Sequence, residues 1–263
     1  MEFNSLDKII NKKREKLDLL KNKLKINDLK YKIDKYDKFL DFKEKIYSNY
    51  SNGKFSLIAE IKKASPSAGV IIQDYNPVNI AKIYEKNKAT CLSVLTEEDF
   101  FNGSLDHIYK IKEKVNLPIL CKDFFIDKFQ IPLAKSFGAD AILLIVAALS
   151  QNQLEELYNT ALEYKMSVII EVHTIEEAKK IIGFKNAIIG INNRNLKTLK
   201  TDLNNTFEIY KTLNNFDGIL ISESGIKNKD DILKISNQTK IKTFLIGESL
   251  LKNLDSNPIF SIL

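Results

Sequence analysis

Residues 167–194 read SVIIEVHTIEEAKKIIGFKNAIIGINNR. A run rich in β-branched residues, Ser167–Ile170, ends at Glu171 and His173. A segment of helical character, Ile175–Ile182, follows and stops at Gly183, and a second β-branched run, Ala187–Ile191, ends at Asn192 and Arg194. Neither run alternates apolar with polar residues, which is the pattern of parallel strands covered on both faces. The same unit recurs on either side. Further runs lie at Phe55–Ile61, Cys91–Leu95, Pro118–Cys121, Ala141–Val146, Gly218–Ile221 and Thr243–Ile246, with helical segments such as Pro77–Lys88, Gln151–Tyr164 and Lys229–Ser236 between them. Eight β–α units in about 200 residues predict one (βα)8 TIM barrel, α/β in class, rather than a doubly wound sheet. Gly138, Gly183 and Gly218 fall where a helix C-cap or tight turn calls for positive φ.

Residues 1–50 have another texture. Ile10, Leu17, Leu20 and Leu24 recur at helical spacing among lysines, and Ile33, Tyr36 and Leu40 begin a second such pattern. A loop signal, Ser51-Asn52-Gly53, follows. The expected organisation is an N-terminal helical extension over 1–50 and a catalytic barrel over 51–263. The net charge of +6 is uneven: residues 1–50 carry 14 Lys or Arg against 9 Asp or Glu, the rest 26 against 25. Lysines so interspersed with acids, without a recognisable binding motif, read as a solvated helical face, and no nucleic-acid partner is expected.

A composition of 44% hydrophobic and 28% charged residues is that of a globular chain and excludes disorder as the dominant state. The longest apolar run, Ala141–Leu149, cannot span a hydrocarbon layer ~30 Å thick, so no membrane partner is expected. Asp7, Glu15 and Asp18, with no long apolar stretch, are unlike a secretory signal or transit peptide. Cys91 and Cys121 lie in apolar runs and read as reduced, buried thiols of a cytoplasmic protein. His107 and His173 lack metal-ligand spacing, and no metal is predicted.

Active sites of such barrels form at the C-terminal strand ends, and seven of the eight ends here are polar: Glu60 and Lys62, Thr96, Lys122 and Asp123, Glu171 and His173, Asn192 and Arg194, Glu223 and Ser224, Gly247 and Glu248. Ser224-Gly225-Ile226 and Gly247-Glu248-Ser249, the latter ahead of a helix at Ser249–Leu254, put small residues where backbone N–H groups approach an anion. They stand in the two loops where barrels commonly hold phosphate. Glu60, Lys62, Lys122 and Glu171 are acid–base candidates, and a structural ion-pair network across the strand ends is the competing reading. Ser65 and Arg194 are candidates for a second anion. One of only two arginines among many lysines, Arg194 offers a planar fork for a carboxylate. Ser65 and Asn192 could equally be turn residues. Phe101 and Phe124 could cover an aromatic ring or belong to the core.

These segments resemble a known family. EIKKASPS (60–67), SVLT (93–96), FNGS (101–104), KDF (122–124), IEVH (170–173), GINNRNL (190–196), SESGI (222–226) and IGESL (246–250) are similar, in order, to the signature segments of indole-3-glycerol-phosphate synthases. The resemblance covers about residues 50–252, and the family's N-terminal helices, packed near the barrel mouth, would account for the extension. It implies a lyase of tryptophan biosynthesis that closes the indole ring of 1-(2-carboxyphenylamino)-1-deoxyribulose 5-phosphate with loss of carbon dioxide and water. Lys122 matches the general acid of ring closure, Glu171 and Lys62 the groups that serve dehydration, and Glu60 a support for the lysines. Ser65, Asn192 and Arg194 match the carboxylate site, with Phe101 and Phe124 over the ring. Glu223, Ser224, Gly225, Gly247 and the backbone at Glu248 match further substrate contacts, chiefly to the phosphate.

The implied partner is thus a small anionic substrate, with no cofactor, acting on a monomer. Ala68 and Cys121 depart from the lysine and arginine frequent in the family, at positions outside the expected chemistry. No second barrel is expected. Another phosphate-binding barrel, such as a sugar-phosphate epimerase, would leave Arg194 and Ser65 without a carboxylate to hold. A catalytically dead scaffold would not need every catalytic position filled. A basic, loosely apolar extension is compatible with a lid over the mouth.

Overall fold

The computed structural model describes residues 5–66 and 68–263. Eight parallel strands close a barrel: β1 (Ser56–Ile61), β2 (Cys91–Leu95), β3 (Ile119–Lys122), β4 (Ala141–Ile145), β5 (Ser167–Val172), β6 (Ile188–Asn192), β7 (Leu220–Glu223) and β8 (Thr243–Ile246). The ring closes where Ser56 of β1 pairs with Thr243 of β8 while Ile58 pairs with Cys91 of β2. Almost every strand residue is buried, because helices cover the outer face and side chains fill the lumen. Alternate positions therefore serve two cores. Leu57, Ala59 and Ile61 of β1 face the helices, while Ile58 joins Cys91, Leu120, Leu143, Ile169, Ile188, Ile221 and Leu245 in the lumen.

Four strands run on through a residue that the sequence reads as lying just past the strand: Lys122, Glu171, Asn192 and Glu223 each lie within one. Polarity marks the end of the apolar run, whereas the backbone ladder continues to the mouth. Conversely, Val146 opens a short 3-10 turn, Val146–Ala148, and is not in β4. Of the three glycines expected at positive φ only Gly138 adopts it, at +98°. Lys88 and Lys165, just past the helices Pro77–Lys86 and Gln151–Glu163, take left-handed conformations instead. Both cysteines are buried and free.

The extension is three helices with three tasks. Helix α1 (Ser5–Lys23) lies at the mouth, where Leu6 and Ile9 line a cavity. Helix α2 (Ile26–Asp34) descends beside the later helix Gln130–Ser136, with Leu17 and Leu29 packed on Phe129 and Leu133. Helix α3 (Phe42–Ser51), capped by Asp41, drives Phe42 and Ile46 into the lumen core, both fully buried. It closes the end opposite the mouth, so only α1 sits where the resemblance puts the extension. The Ile33, Tyr36, Leu40 pattern does not form a second long helix, since α2 stops at Asp34. The basic excess is also accounted for. Lys13 pairs with Asp123 at 2.6 Å, Lys16 with Glu98 at 2.8 Å and Asp99 at 2.7 Å, and Lys21 with Asp127. These lysines bind α1 to the acidic loops after β2 and β3 rather than facing solvent alone. No helix among the described residues is long and apolar enough to cross a membrane.

Candidate active site

Alternation along β1 puts Glu60 and Lys62 on the lumen side, and β3, β5 and β7 end their inward rows with Lys122, Glu171 and Glu223. The Lys122 ammonium stands among three carboxylates, 2.8 Å from Glu223 Oε2, 3.5 Å from Glu171 Oε2 and 4.0 Å from Glu60 Oε2. Glu60 turns its other oxygen to Lys62 Nζ at 2.6 Å and so bridges the two lysines. Burial alone would discharge Lys122, but the three carboxylates outweigh it and hold the ammonium well above the usual lysine range. Burial likewise works against ionised Glu60 and Glu171, yet both stay below the usual carboxylate range. Lys62 and Lys122 hold Glu60, and Lys122, His173 and the Asn192 amide hold Glu171. Glu223 differs. Its burial and the neighbouring Glu171 charge outweigh Lys122 and push it up to about 7. Glu171 and Glu223 therefore titrate together, with Glu223 the one that takes the proton.

Two glycines make this crowding possible. A Cβ on Gly190 would stand 2.3 Å from Glu223 Oε1, and one on Gly247 would stand 2.3 Å from Glu60 Oε1. Gly190→Ala is expected to displace Glu223 and with it Lys122, lowering kcat about tenfold or more and stability by about 1–3 kcal/mol. Gly183→Ala, with nothing within 4 Å, is expected to change neither. Rate assays and urea unfolding of both variants check this, and an unaffected Gly190→Ala would show that the packing is not limiting.

Above the cluster the mouth divides into two cavities that share Glu60, Lys62, Arg194 and Ser224. The first, about 160 Å³, has an apolar floor of Leu95, Leu143 and Ile145. Ile145 ends β4, the strand that is followed by apolar residues, 146–149, instead of a polar one. Phe101 and Phe124, ring centroids 6.3 Å apart, form one wall, and Ser65 and Asn192 also face it. The second, about 450 Å³, is lined by Ser224, Gly225, Gly247, Glu248 and Ser249. Ser224 and Gly225 take φ of +68° and +79°, a left-handed conformation that costs a non-glycine residue such as Ser224 some strain.

The structure thus brings all fourteen residues singled out from sequence to the mouth, at different depths. Glu223 is assigned by the sequence to substrate contact. It is fully buried and lines neither cavity, and it pairs with Lys122 from beneath. Asn192 accepts from the Arg194 N–H at 2.9 Å and directs its amide to Glu171. Ser65 Oγ accepts from Ala68 N–H at 3.2 Å, a turn contact, while still facing the cavity. Ser67 lies outside the described residues. Arg194 is anchored by its Nη1 donating to Leu199 carbonyl at 2.7 Å. The Glu248 carboxylate turns to Lys252 at 2.7 Å, and this bond holds it below its usual range.

Other positioning residues escape the sequence reading. Buried Glu97 accepts from the N–H groups of Asp99, Phe100 and Phe101 and so shapes the loop that carries Phe101. Asp123 accepts from Thr96 Oγ1 at 2.7 Å and pairs with Lys13. An acid just past a strand and before Phe-Phe-Asn-Gly was the available signal for Glu97. Nothing in the sequence distinguishes Leu6 and Ile9 of α1 as cavity wall. Among the described residues no group of three or more His, Cys, Asp or Glu side chains is arranged to hold a metal.

Comparison with known proteins agrees with this geometry. The chain is 42% identical over 262 residues to an indole-3-glycerol phosphate synthase of Trichodesmium erythraeum, covering 97% of this chain and 86% of that one. It is 46% identical over 257 residues to one of Prochlorococcus marinus, covering 96% and 86%. Among solved structures, the tryptophan synthase alpha chain of Legionella pneumophila shares the fold with a TM-score of 0.59 at 11% identity, over 84% of this chain and 93% of that one. A model of the family described as indole-3-glycerol phosphate synthase matches residues 6–261, extension included. With the strand-end cluster, the paired cavities and the three-helix extension all within that match, the chain belongs to the indole-3-glycerol phosphate synthase family.

Proposed function

We propose that the residues gathered at the mouth carry out the family's reaction, conversion of 1-(2-carboxyphenylamino)-1-deoxyribulose 5-phosphate to indole-3-glycerol phosphate, carbon dioxide and water. The observation that carries the assignment is the place of Lys122, at the base of an aromatic-walled cavity joined to a glycine-lined one. A substrate with an aromatic acid at one end and a phosphate at the other fits that pair. The aromatic ring lies against the wall formed by Phe101 and Phe124, with its carboxylate toward Arg194, Ser65 and Asn192. The phosphate lies on the backbone of Ser224, Gly225, Gly247 and Glu248, with Lys62 beside it.

Lys122 gives its proton to the ketone oxygen as the ring carbon attacks, so the new C–C bond forms without a free alkoxide. Glu223, 2.8 Å behind it and titrating about 7, is placed to return the proton. Departure of carbon dioxide restores the aromatic ring. The hydroxyl then leaves as water with a proton from Lys62, while Glu171, held ionised, takes the proton lost from the new ring. Glu60 bridges the two lysines and holds them in place.

Every group in this scheme comes from one chain, which supports action as a monomer. Cytoplasmic placement is supported by the buried, unpaired cysteines. The lysines of α1 tied to barrel carboxylates speak for a mouth cover rather than a nucleic-acid surface. Growth of indole fluorescence on mixing the protein with this substrate tests the assignment, and the absence of tryptophan keeps the background low. No signal from folded protein would overturn it.

A further inference from the structure

Among the buried titratable groups that the mechanism above leaves unused, His173 is the one paired with Glu171. His173 follows β5 directly, its side chain only 6% exposed. We propose that His173 is a positioning residue for the reaction, its ring lodged between Glu171 and Glu177 so that it fixes the Glu171 carboxylate from the side away from Lys122. The geometry assigns one cation to each oxygen of Glu171: Lys122 lies 3.5 Å from Oε2 and His173 Nε2 lies 3.2 Å from Oε1. On its far side His173 Nδ1 stands 3.6 Å from Glu177 Oε2. Glu177 is itself fixed, because its carboxylate accepts from the His173 backbone N–H at 2.6 Å and its own N–H donates to Thr174 at the start of the helix Ile175–Ile181. From β6 and the loops beyond it, Asn205 donates to the His173 carbonyl, and Arg194 and Glu208 line the same side cavity.

Burial opposes the charged imidazole, but the two carboxylates outweigh it and raise it to about 10, so it is an imidazolium at neutral pH. This matters once Lys122 has donated its proton. Until that proton is returned, Glu171 lacks one of its two counter-charges, and His173 is the cation that keeps it ionised. A side chain that acts in this way moves the pH at which Glu171 becomes competent, which a merely structural residue would not.

The inference rests on Glu171 being the base, and the experiment separates the two. The pH dependence of kcat/KM is measured for wild type, His173→Gln, Glu177→Gln and Glu171→Gln, with circular dichroism as the folding check. His173→Gln is expected to lower kcat about 10- to 100-fold, as loss of an orienting partner does elsewhere. It should also move the acidic limb upward by about one unit, since one cation near the carboxylate is gone. Glu177→Gln is expected to move the limb the same way by less. A His173→Gln enzyme with wild-type kcat and an unmoved limb, or with the same loss at every pH, overturns the inference. If His173→Gln does not fold, Glu177→Gln decides by the same criterion. Full activity in Glu171→Gln would instead overturn the assignment of the base.

Discussion

Lys122→Ala is expected to lower kcat about 10²-fold or more, the contribution typical of a positioned acid, with a much smaller change in KM. The difference between the two parameters follows from where Lys122 stands. Its ammonium is at the floor of the cavity among Glu60, Glu171 and Glu223, whereas the proposed grips on the carboxylate and phosphate lie at the walls and in the loops after β7 and β8. Removing it therefore costs the interaction made as charge develops on the ketone oxygen and leaves ground-state binding largely in place. The variant keeps Lys62 beside Glu60 and His173 beside Glu171 but loses the nearest partner of Glu223, so the carboxylates take up protons rather than remain repelling one another. That uptake is why the variant should fold. Lys122→Arg separates charge from geometry: the planar guanidinium keeps the charge but cannot take the place of a compact ammonium among three carboxylates. Initial rates of fluorescence growth, with thermal unfolding beside them, check the expectation. A Lys122→Ala rate within about tenfold of wild type would remove Lys122 from the acid's role.

The barrel was legible because its signal is repeated. Eight apolar runs without alternation, each followed by a helical segment, leave one architecture, and a boundary error of one or two residues at any strand does not disturb it. The chemistry at the mouth was legible because lumen positions of a barrel are normally apolar. Glu60, Lys122, Glu171 and Glu223 at strand ends therefore contradict burial unless they meet one another. What stayed hidden depends on contacts far apart in sequence. Glu223 reads as a substrate contact until the register of β6 and β7 shows Gly190 making room for it and Lys122 covering it. The extension reads as a solvated basic helix because no local pattern shows that Lys13, Lys16 and Lys21 reach acids about a hundred residues away. Helix α3 carries two apolar residues that matter, Phe42 and Ile46, too few to announce that they plug the lumen.

The largest loss of stability is expected far from the mouth, in Lys112→Ala. Lys112 Nζ lies 2.6 Å from Asp140 Oδ2, and the two side chains are 1% and 0% exposed. Asp140 also accepts from the N–H groups of Leu40 at 2.7 Å and Ile119 at 2.8 Å, while Lys112 donates to the Lys38 carbonyl at 3.2 Å. The pair thus fastens the segment between α2 and α3 to the start of β3, and with it the helix that closes the lumen. Burial pushes Asp140 up and Lys112 down, against their mutual attraction, so each charge is tolerable only beside the other. Removing the lysine leaves a buried carboxylate without a counter-charge, a change that typically costs about 3–5 kcal/mol. The pH dependence has a definite sign. Asp140 already stands above its unfolded value when folded, and without Lys112 it rises further, so the folded state binds the proton that the unfolded state has released. Stability then increases as pH falls from neutral through the folded value of Asp140 toward its unfolded one, and the deficit of Lys112→Ala should shrink on acidification. Urea unfolding of wild type and variant at neutral and mildly acidic pH measures both quantities. A deficit below about 1 kcal/mol, or one that does not change with pH, would mean that water or a shifted backbone relieves Asp140 and that the anchoring of α3 lies in Phe42 and Ile46 alone.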